Sequence, residues 1–213
     1  MRDVGRLHVI TDVHLQSRWT HEQIARAAAH GGADVVQFRH KTGGVRDKLH
    51  LLRPTAEACR AGGPALVVND HISLALAVGA PGVHLGQDDL PIADARRVLG
   101  DDFLIGATAT TTDQVKRAAD EGASYVGFGP VYQTNSKVNP ASVKGLGGLA
   151  AACRAVGIPI IAIGGVKPHR VEEVLAEGAY GVAVLSAVTA SPDPSAATGS
   201  FRRALDAVLP REA

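Results

Sequence analysis

Residues 37 to 41 read Gln-Phe-Arg-His-Lys and follow the apolar pair Val35-Val36. Successive residues on a strand point to opposite faces. Val35, Gln37, Arg39 and Lys41 therefore share one face, and an apolar strand ends that face in an amide, a guanidinium and an ammonium. Two cations side by side in a partly closed mouth repel each other unless an anion lies with them, so the pattern points to phosphate recognition. Asn69 and Asp70 end a second apolar run, and Gln87, Asp88 and Asp89 follow a third. Each acidic residue has an ordinary role open to it: Asp70 as the cap of a helix starting near His71, Asp88 and Asp89 as a helix-start signal before Pro91. Set beside Arg39 and Lys41, carboxylates from separate segments also suit Mg²⁺ bound to a phosphate. Hard oxygen donors, with no clustered Cys/His set, favour Mg²⁺ over zinc.

A second anion site is suggested by Gly164-Gly165, which follows an apolar run and precedes a helical pattern. Glycines there let backbone N–H groups approach a phosphate at a helix start, although a Gly-Gly pair also serves as a plain tight turn. Two phosphorylated substrates, or one bisphosphate, would satisfy both sites. The nine histidines are spread along the chain without a recognisable cluster. His84 reads as a satisfied core residue, and His40 and His71 as residues on the outer side of the site. No Ser-His-Asp or Cys-His arrangement stands out, so no covalent enzyme intermediate is expected.

The elements that must position these residues are short apolar runs, expected as strands over 7–11, 34–38, 65–68, 82–85, 103–106, 125–128, 159–164 and 181–185. Alanine-rich helical patterns lie between them, for example over 21–32 and 169–179. Continuous Val/Ile/Leu runs suit strands covered on both faces, and the alternation with helices argues for parallel βαβ units. Eight units in 213 residues fit a single (β/α)₈ TIM barrel spanning 1–213, near the lower size limit of that fold. A Gly-Ala pair recurs at 32–33, 79–80, 122–123 and 178–179, each time where a helix should stop before a strand. Pro54 should kink the helix expected over 47–61 or shift its start. Residues 190–200 read as a loop before a final helix over 201–209.

In such a barrel the strand C-termini and the loops after them form one mouth. Gln37, Arg39, Lys41, Asn69, Asp70, Gln87, Asp88, Asp89, Thr108, Thr110, Thr134, Ser136, Lys137, Gly164, Gly165, Ser186 and Ala187 then share a ring. Hydrophobic residues make up 46% and charged residues 20%, which allows a full core. Lysine plus arginine (22) nearly cancels aspartate plus glutamate (21), so nothing in the bulk charge calls for nucleic acid or an anionic membrane. There is no signal-like or membrane-spanning run. Two distant cysteines, Cys59 and Cys153, read as packing residues of a reduced, cytoplasmic protein.

Taken together, QFRHK (37–41), VVND (67–70), GVHLGQDDL (82–90), IGATATT (105–111), YVGFGPVYQTNSK (125–137), IPIIAIGGV (158–166) and GVAVLSAV (181–188) resemble the thiamine phosphate synthase family over nearly the whole chain. The resemblance implies a transferase that joins a hydroxymethylpyrimidine diphosphate to a thiazole phosphate, releasing pyrophosphate with Mg²⁺ as cofactor. It implies that Gln37 orients the pyrimidine. Arg39, Lys41, Asn69 and Lys137 hold the diphosphate, with Thr108 beside it where the family commonly has serine. Of these, Arg39, Lys41, Thr108 and Lys137 would act on the reacting group. Asp70 and Asp89 would carry Mg²⁺. Thr134 and Ser136, with the backbone at Gly164, Gly165, Ser186 and Ala187, would take the thiazole phosphate. Two other readings compete: a thiazole tautomerase of the same fold, and a non-catalytic phosphate-binding relative. Neither needs a Mg²⁺–diphosphate site, and Pro130 stands where tautomerases can carry a histidine. The partners expected are small molecules, with homo-oligomerisation left open.

Overall fold

The computed structural model describes residues 4–14, 16–134, 136 and 142–209. Among them, eight parallel strands close into a barrel in sequence order: β1 (Leu7–Thr11), β2 (Val35–Phe38), β3 (Ala65–Asn69), β4 (Gly82–Leu85), β5 (Leu104–Ala109), β6 (Tyr125–Phe128), β7 (Ile160–Ile163) and β8 (Gly181–Val184). Helices α1 (His21–His30), α2 (Val45–Gly62), α3 (Ile72–Val78), α4 (Ile92–Leu99), α5 (Thr112–Asp120), α6 (Gly145–Ala155) and α7 (Val171–Ala176) follow the first seven strands. The short α8 (Ser186–Thr189) and the long α9 (Pro194–Val208) follow the eighth. This is the (β/α)₈ barrel that the strand–helix alternation predicts.

Two apolar layers hold it together. Outward strand residues such as Val36, Val68, Val83, Ile105 and Val126 pack against the helices. Inward residues Ile10, Val35, Val67, Leu104, Tyr125 and Ile161 fill the bore. All four Gly-Ala pairs end helices in one manner. Gly32, Gly79, Gly122 and Gly178 take positive φ, and the following alanine N–H reaches back to a helix carbonyl five residues earlier. That hydrogen bond, with a second from the glycine N–H to a carbonyl three residues earlier, satisfies carbonyls that the helix end leaves open, and the turn needs a residue without a Cβ penalty.

Three expectations are corrected. α2 runs unbroken through Pro54 and begins at Val45; the proline forfeits only a bond to the carbonyl of His50, an exposed residue. β5 extends to Ala109, so Thr108 lies in the barrel wall rather than in a loop after it. The final helix starts at Pro194, not at Phe201, because Asp193 accepts from the Ala196 N–H at 2.9 Å and Pro194 occupies the first turn.

Candidate active site

Strand alternation brings Gln37 into the bore, 4% exposed, with Arg39 directly above it. Arg39 is held by its backbone N–H on the Thr11 carbonyl at 3.2 Å and by its guanidinium on Asp12. Asp12 is 1% exposed and also accepts from the His14 N–H. The neighbouring cation, Lys41, donates to Asp70 at 2.5 Å. The expectation of two cations facing each other uncompensated is therefore corrected: each has its own carboxylate. Asp12 follows β1 as Asp70 follows β3, and reading every strand end for acids, the first included, would have found it.

Asp70 has a left-handed backbone, φ 65°, which is uncommon outside glycine. It does not cap α3, whose cap is His71. Its carboxylate lies instead between Lys41 and Asp89. Burial opposes ionisation of Asp70, but the hydrogen bonds with Lys41 and Asp89 outweigh it and hold the carboxyl below the usual range. Asp89 is displaced the other way, by burial and by the proximity of Asp70, although Gly86 N–H donates to it at 2.7 Å. Two carboxylates this close push their titrations apart, and a divalent cation relieves the conflict. Asp88 is exposed and stands apart. Among the described residues no three His, Cys, Asp or Glu side chains converge as metal ligands, so a metal here would complete its shell with substrate oxygens and water.

Across the mouth, a cavity of about 130 Å³ is lined by Thr108, Thr134, Ser136, Gly164, Gly165 and Ser186, with Ala187 at its wall. The hydroxyls form a chain: Thr134 donates to Ser136 at 3.1 Å, and the Ser136 and Ser186 hydroxyls lie 2.8 Å apart. Gly164 and Gly165 have φ 93° and 67°. A Cβ on Gly165 would meet the Gln133 carbonyl at 2.4 Å, so this glycine also lets the loop after β6 close over the cavity. Lys167 lines the same cavity; the sequence reading passed over this cation two residues beyond Gly165. A smaller recess of about 60 Å³ lies deeper in the bore, bounded by Gln37, Arg39, Asn69, His84, Thr108 and Tyr125. Thr108 borders both spaces. Lys137 lies outside the described residues. Thr110 is engaged with Gln114 at the start of α5.

The histidines do cluster, contrary to expectation. Thr11 Oγ1 and His21 Nδ1 are 2.7 Å apart, His21 Nε2 and His40 Nδ1 are 2.9 Å apart, and the rings of His14 and His40 lie at 5.3 Å. Residues from β1, α1 and the end of β2 meet when this first βαβ unit packs, with β1 paired directly to β2, and their spacing of ten to nineteen residues follows no short motif. Burial pushes His21 down to about 4, with the adjacent His40 adding to it.

Fold and charge layout together define a (β/α)₈ barrel whose C-terminal mouth carries cations, paired carboxylates and a glycine-bordered cavity. The chain belongs to the thiamine monophosphate synthase family, whose model matches residues 7–188. It is 53% identical to the thiamine-phosphate synthase of Salinibacter ruber over 212 residues, covering 100% of this chain and 93% of that one. It is 42% identical to the thiamine-phosphate synthase of Methanocella arvoryzae, covering 92% of each. The solved thiamine phosphate pyrophosphorylase of Pyrococcus furiosus superposes with a TM-score of 0.86 at 34% identity over 96% of both chains. A 3-hexulose-6-phosphate synthase at 20% identity and TM-score 0.68 shares the fold alone.

Proposed function

We propose that this protein condenses a hydroxymethylpyrimidine diphosphate with a hydroxyethylthiazole phosphate to give thiamine phosphate and pyrophosphate. The observation that carries the reading is the adjacency of two spaces across Thr108. One is floored by Gln37 and flanked by Arg39; the other is bordered by Gly164, Gly165 and the Ser136–Ser186 hydroxyl pair. Family membership and the full-length relatives support it.

Gln37 orients the pyrimidine in the bore. Arg39, Lys41 and Asn69 take the diphosphate, and the family resemblance adds Lys137. As the carbon–oxygen bond to the diphosphate breaks, the pyrimidine ring shares the positive charge of the methylene carbon. The departing pyrophosphate gains negative charge, and the Arg39 fork meets that charge where it grows. Thr134, Ser136, Ser186 and the backbone near Gly164, Gly165 and Ala187 hold the thiazole phosphate, so that the ring nitrogen faces the methylene carbon. Positioning supplies the rest of the acceleration, without a protein nucleophile. Asp70 and Asp89 would hold Mg²⁺, which when bound neutralises diphosphate charge. The close carboxylate pair fits a hard dication.

Pro130 in place of a histidine, together with the Asp70–Asp89 pair, favours the synthase over an isomerase or a binding protein. No helix among the described residues is long and apolar enough to cross a membrane. Both cysteines are free thiols, in keeping with a cytoplasmic, single-domain enzyme. The test is to mix both phosphorylated precursors with the purified protein and Mg²⁺ and to follow thiamine phosphate. A folded protein that forms none would overturn the reading.

A further inference from the structure

Three neighbouring strands put His84, Gly106 and Tyr125 in register across β4, β5 and β6. The middle position has no side chain, and the outer two meet across it: His84 Nδ1 lies 3.1 Å from the Tyr125 hydroxyl. A Cβ on Gly106 would stand 2.2 Å from Tyr125 Cζ and 2.5 Å from both His84 Nδ1 and the Tyr125 oxygen. The glycine therefore keeps the place of this hydrogen bond open. The other ring nitrogen, His84 Nε2, lies 2.9 Å from Thr108 Oγ1. The Tyr125 hydroxyl is hydrogen-bonded in turn to Gln37, and the ring is fully buried. One unbroken chain of side chains, Thr108–His84–Tyr125–Gln37, thus crosses the floor of the mouth. It links the residue assigned to the diphosphate with the residue assigned to the pyrimidine.

Such a chain has a direction. Phosphate oxygens only accept, so a diphosphate at Thr108 requires the threonine O–H to point at it. Thr108 must then accept from His84 Nε2–H. In a neutral ring Nδ1 is then an acceptor, and it takes the Tyr125 O–H. The Tyr125 oxygen, its proton committed, accepts from the Gln37 side-chain NH₂. That fixes the amide with Oε1 toward the mouth. The opposite direction would leave Thr108 without a proton to offer the anion and would turn the Gln37 NH₂ outward.

We propose that His84 and Tyr125 are positioning residues which couple diphosphate binding at Thr108 to the orientation of the Gln37 amide, so that the enzyme selects a pyrimidine bearing a ring amino donor over one bearing a carbonyl oxygen. The inference rests on the synthase reading and goes beyond it, because it assigns substrate discrimination to two side chains that need not touch either substrate. It also gives Gly106 a reason: its empty side-chain position is the gap through which the chain passes.

Two measurements test it. The first needs no turnover. In ¹⁵N-histidine-labelled protein with Mg²⁺ and inorganic pyrophosphate, the His84 signal, identified by its loss in His84→Gln, should be that of the Nε2–H tautomer. An Nδ1–H tautomer would overturn the proposal, even in a protein that fails to make thiamine phosphate. The second compares inhibition constants of an amino- and an oxo-substituted pyrimidine diphosphate, in the parent and in Tyr125→Phe. The phenylalanine keeps the ring and removes the link. Ring electronics are the same for both proteins, so the ratio isolates the contact. The preference for the amino compound should fall at least tenfold while KM for the thiazole phosphate holds. An unchanged preference in a folded Tyr125→Phe protein would overturn the proposal.

Discussion

The Arg39 guanidinium is bonded to the Asp12 carboxylate, a group buried at the end of β1 beside the strand that carries Arg39. Arg39 is thus aimed before any ligand arrives, and its rigid fork suits phosphate oxygens in a way a lysine cannot copy. Arg39→Lys should lower kcat on the order of a hundredfold, by analogy with loss of one oxyanion-type donor. Asp12→Asn keeps the shape, removes the counter-charge and should cost less, on the order of tenfold in kcat. In both variants the thiazole phosphate KM should stay nearly constant, since the site proposed for it lies across the mouth by Gly164 and Gly165. Steady-state kinetics with each substrate varied in turn decides it. Collapse of thiazole phosphate affinity with kcat preserved would mean that the two anion sites are reversed.

Metal dependence should carry a pH signature. Chelation is expected to abolish turnover and added Mg²⁺ to restore it. Asp89 has its carboxyl raised, by burial first and by Asp70 as well. Protonated Asp89 is a poor ligand, so the apparent Mg²⁺ affinity should weaken as pH falls through that raised range and recover above it. Asp89→Asn should weaken the apparent Mg²⁺ affinity at all pH values and flatten the trend. Full activity in EDTA would remove the metal from the mechanism.

Thr108→Ser probes the one hydroxyl that borders both spaces. Serine keeps the oxygen that lies 2.9 Å from His84 Nε2 and sheds the methyl, which in the proposed binding mode stands against the diphosphate. The variant should be at least as active as its parent. A tenfold loss, about 1.4 kcal/mol in the barrier, would show that the methyl packs usefully.

His21 should tie stability to acid. Its folded value is about 4 against an ordinary 6.5, mainly through burial. The unfolded chain then takes the proton first, so stability is complete above pH 6.5 and is lost as pH falls toward 4. The loss from this group is on the order of 3 kcal/mol. Urea midpoints for the parent and His21→Asn across that range should differ in slope, the variant being flatter. Parallel curves would assign the acid sensitivity elsewhere.

The strands were legible because each is a short Val/Ile/Leu run closed by a turn signal; β1, β4 and β6 fall on the expected residues. Helix stops were legible at the Gly-Ala pairs. α9 was missed at its start because Ser-Pro-Asp-Pro reads as loop composition, while Asp193-Pro194 is also a cap followed by a first-turn proline. The inward placement of Gln37 followed from strand alternation, and that of Arg39, Lys41 and Asp70 from their position just past a strand end. Their partners did not. Asp12 stood at a strand end that was not read for acids, and the histidine cluster depends on packing between β1, α1 and β2, which no short motif encodes. The His84–Tyr125 bond needs three adjacent strands in register, and only the glycine between them leaves a trace in the sequence.

The barrel seam, where β1 pairs with β8, orders the birth of the enzyme. The first strand to leave the ribosome waits for nearly the whole chain before its second neighbour exists. Until then it offers an open edge of unpaired amides and carbonyls. Arg6 bridges that seam: its guanidinium donates to the Tyr180 carbonyl at 2.7 Å and its own carbonyl accepts from the Val182 N–H at 2.8 Å. The Gly164–Ser186 side of the mouth is likewise built from the last strands. A nascent chain therefore gains the proposed thiazole phosphate site at the same moment as it loses its sticky edge. Translation that stops before β8 leaves neither a half-active enzyme nor a harmless fragment, but an unclosed sheet.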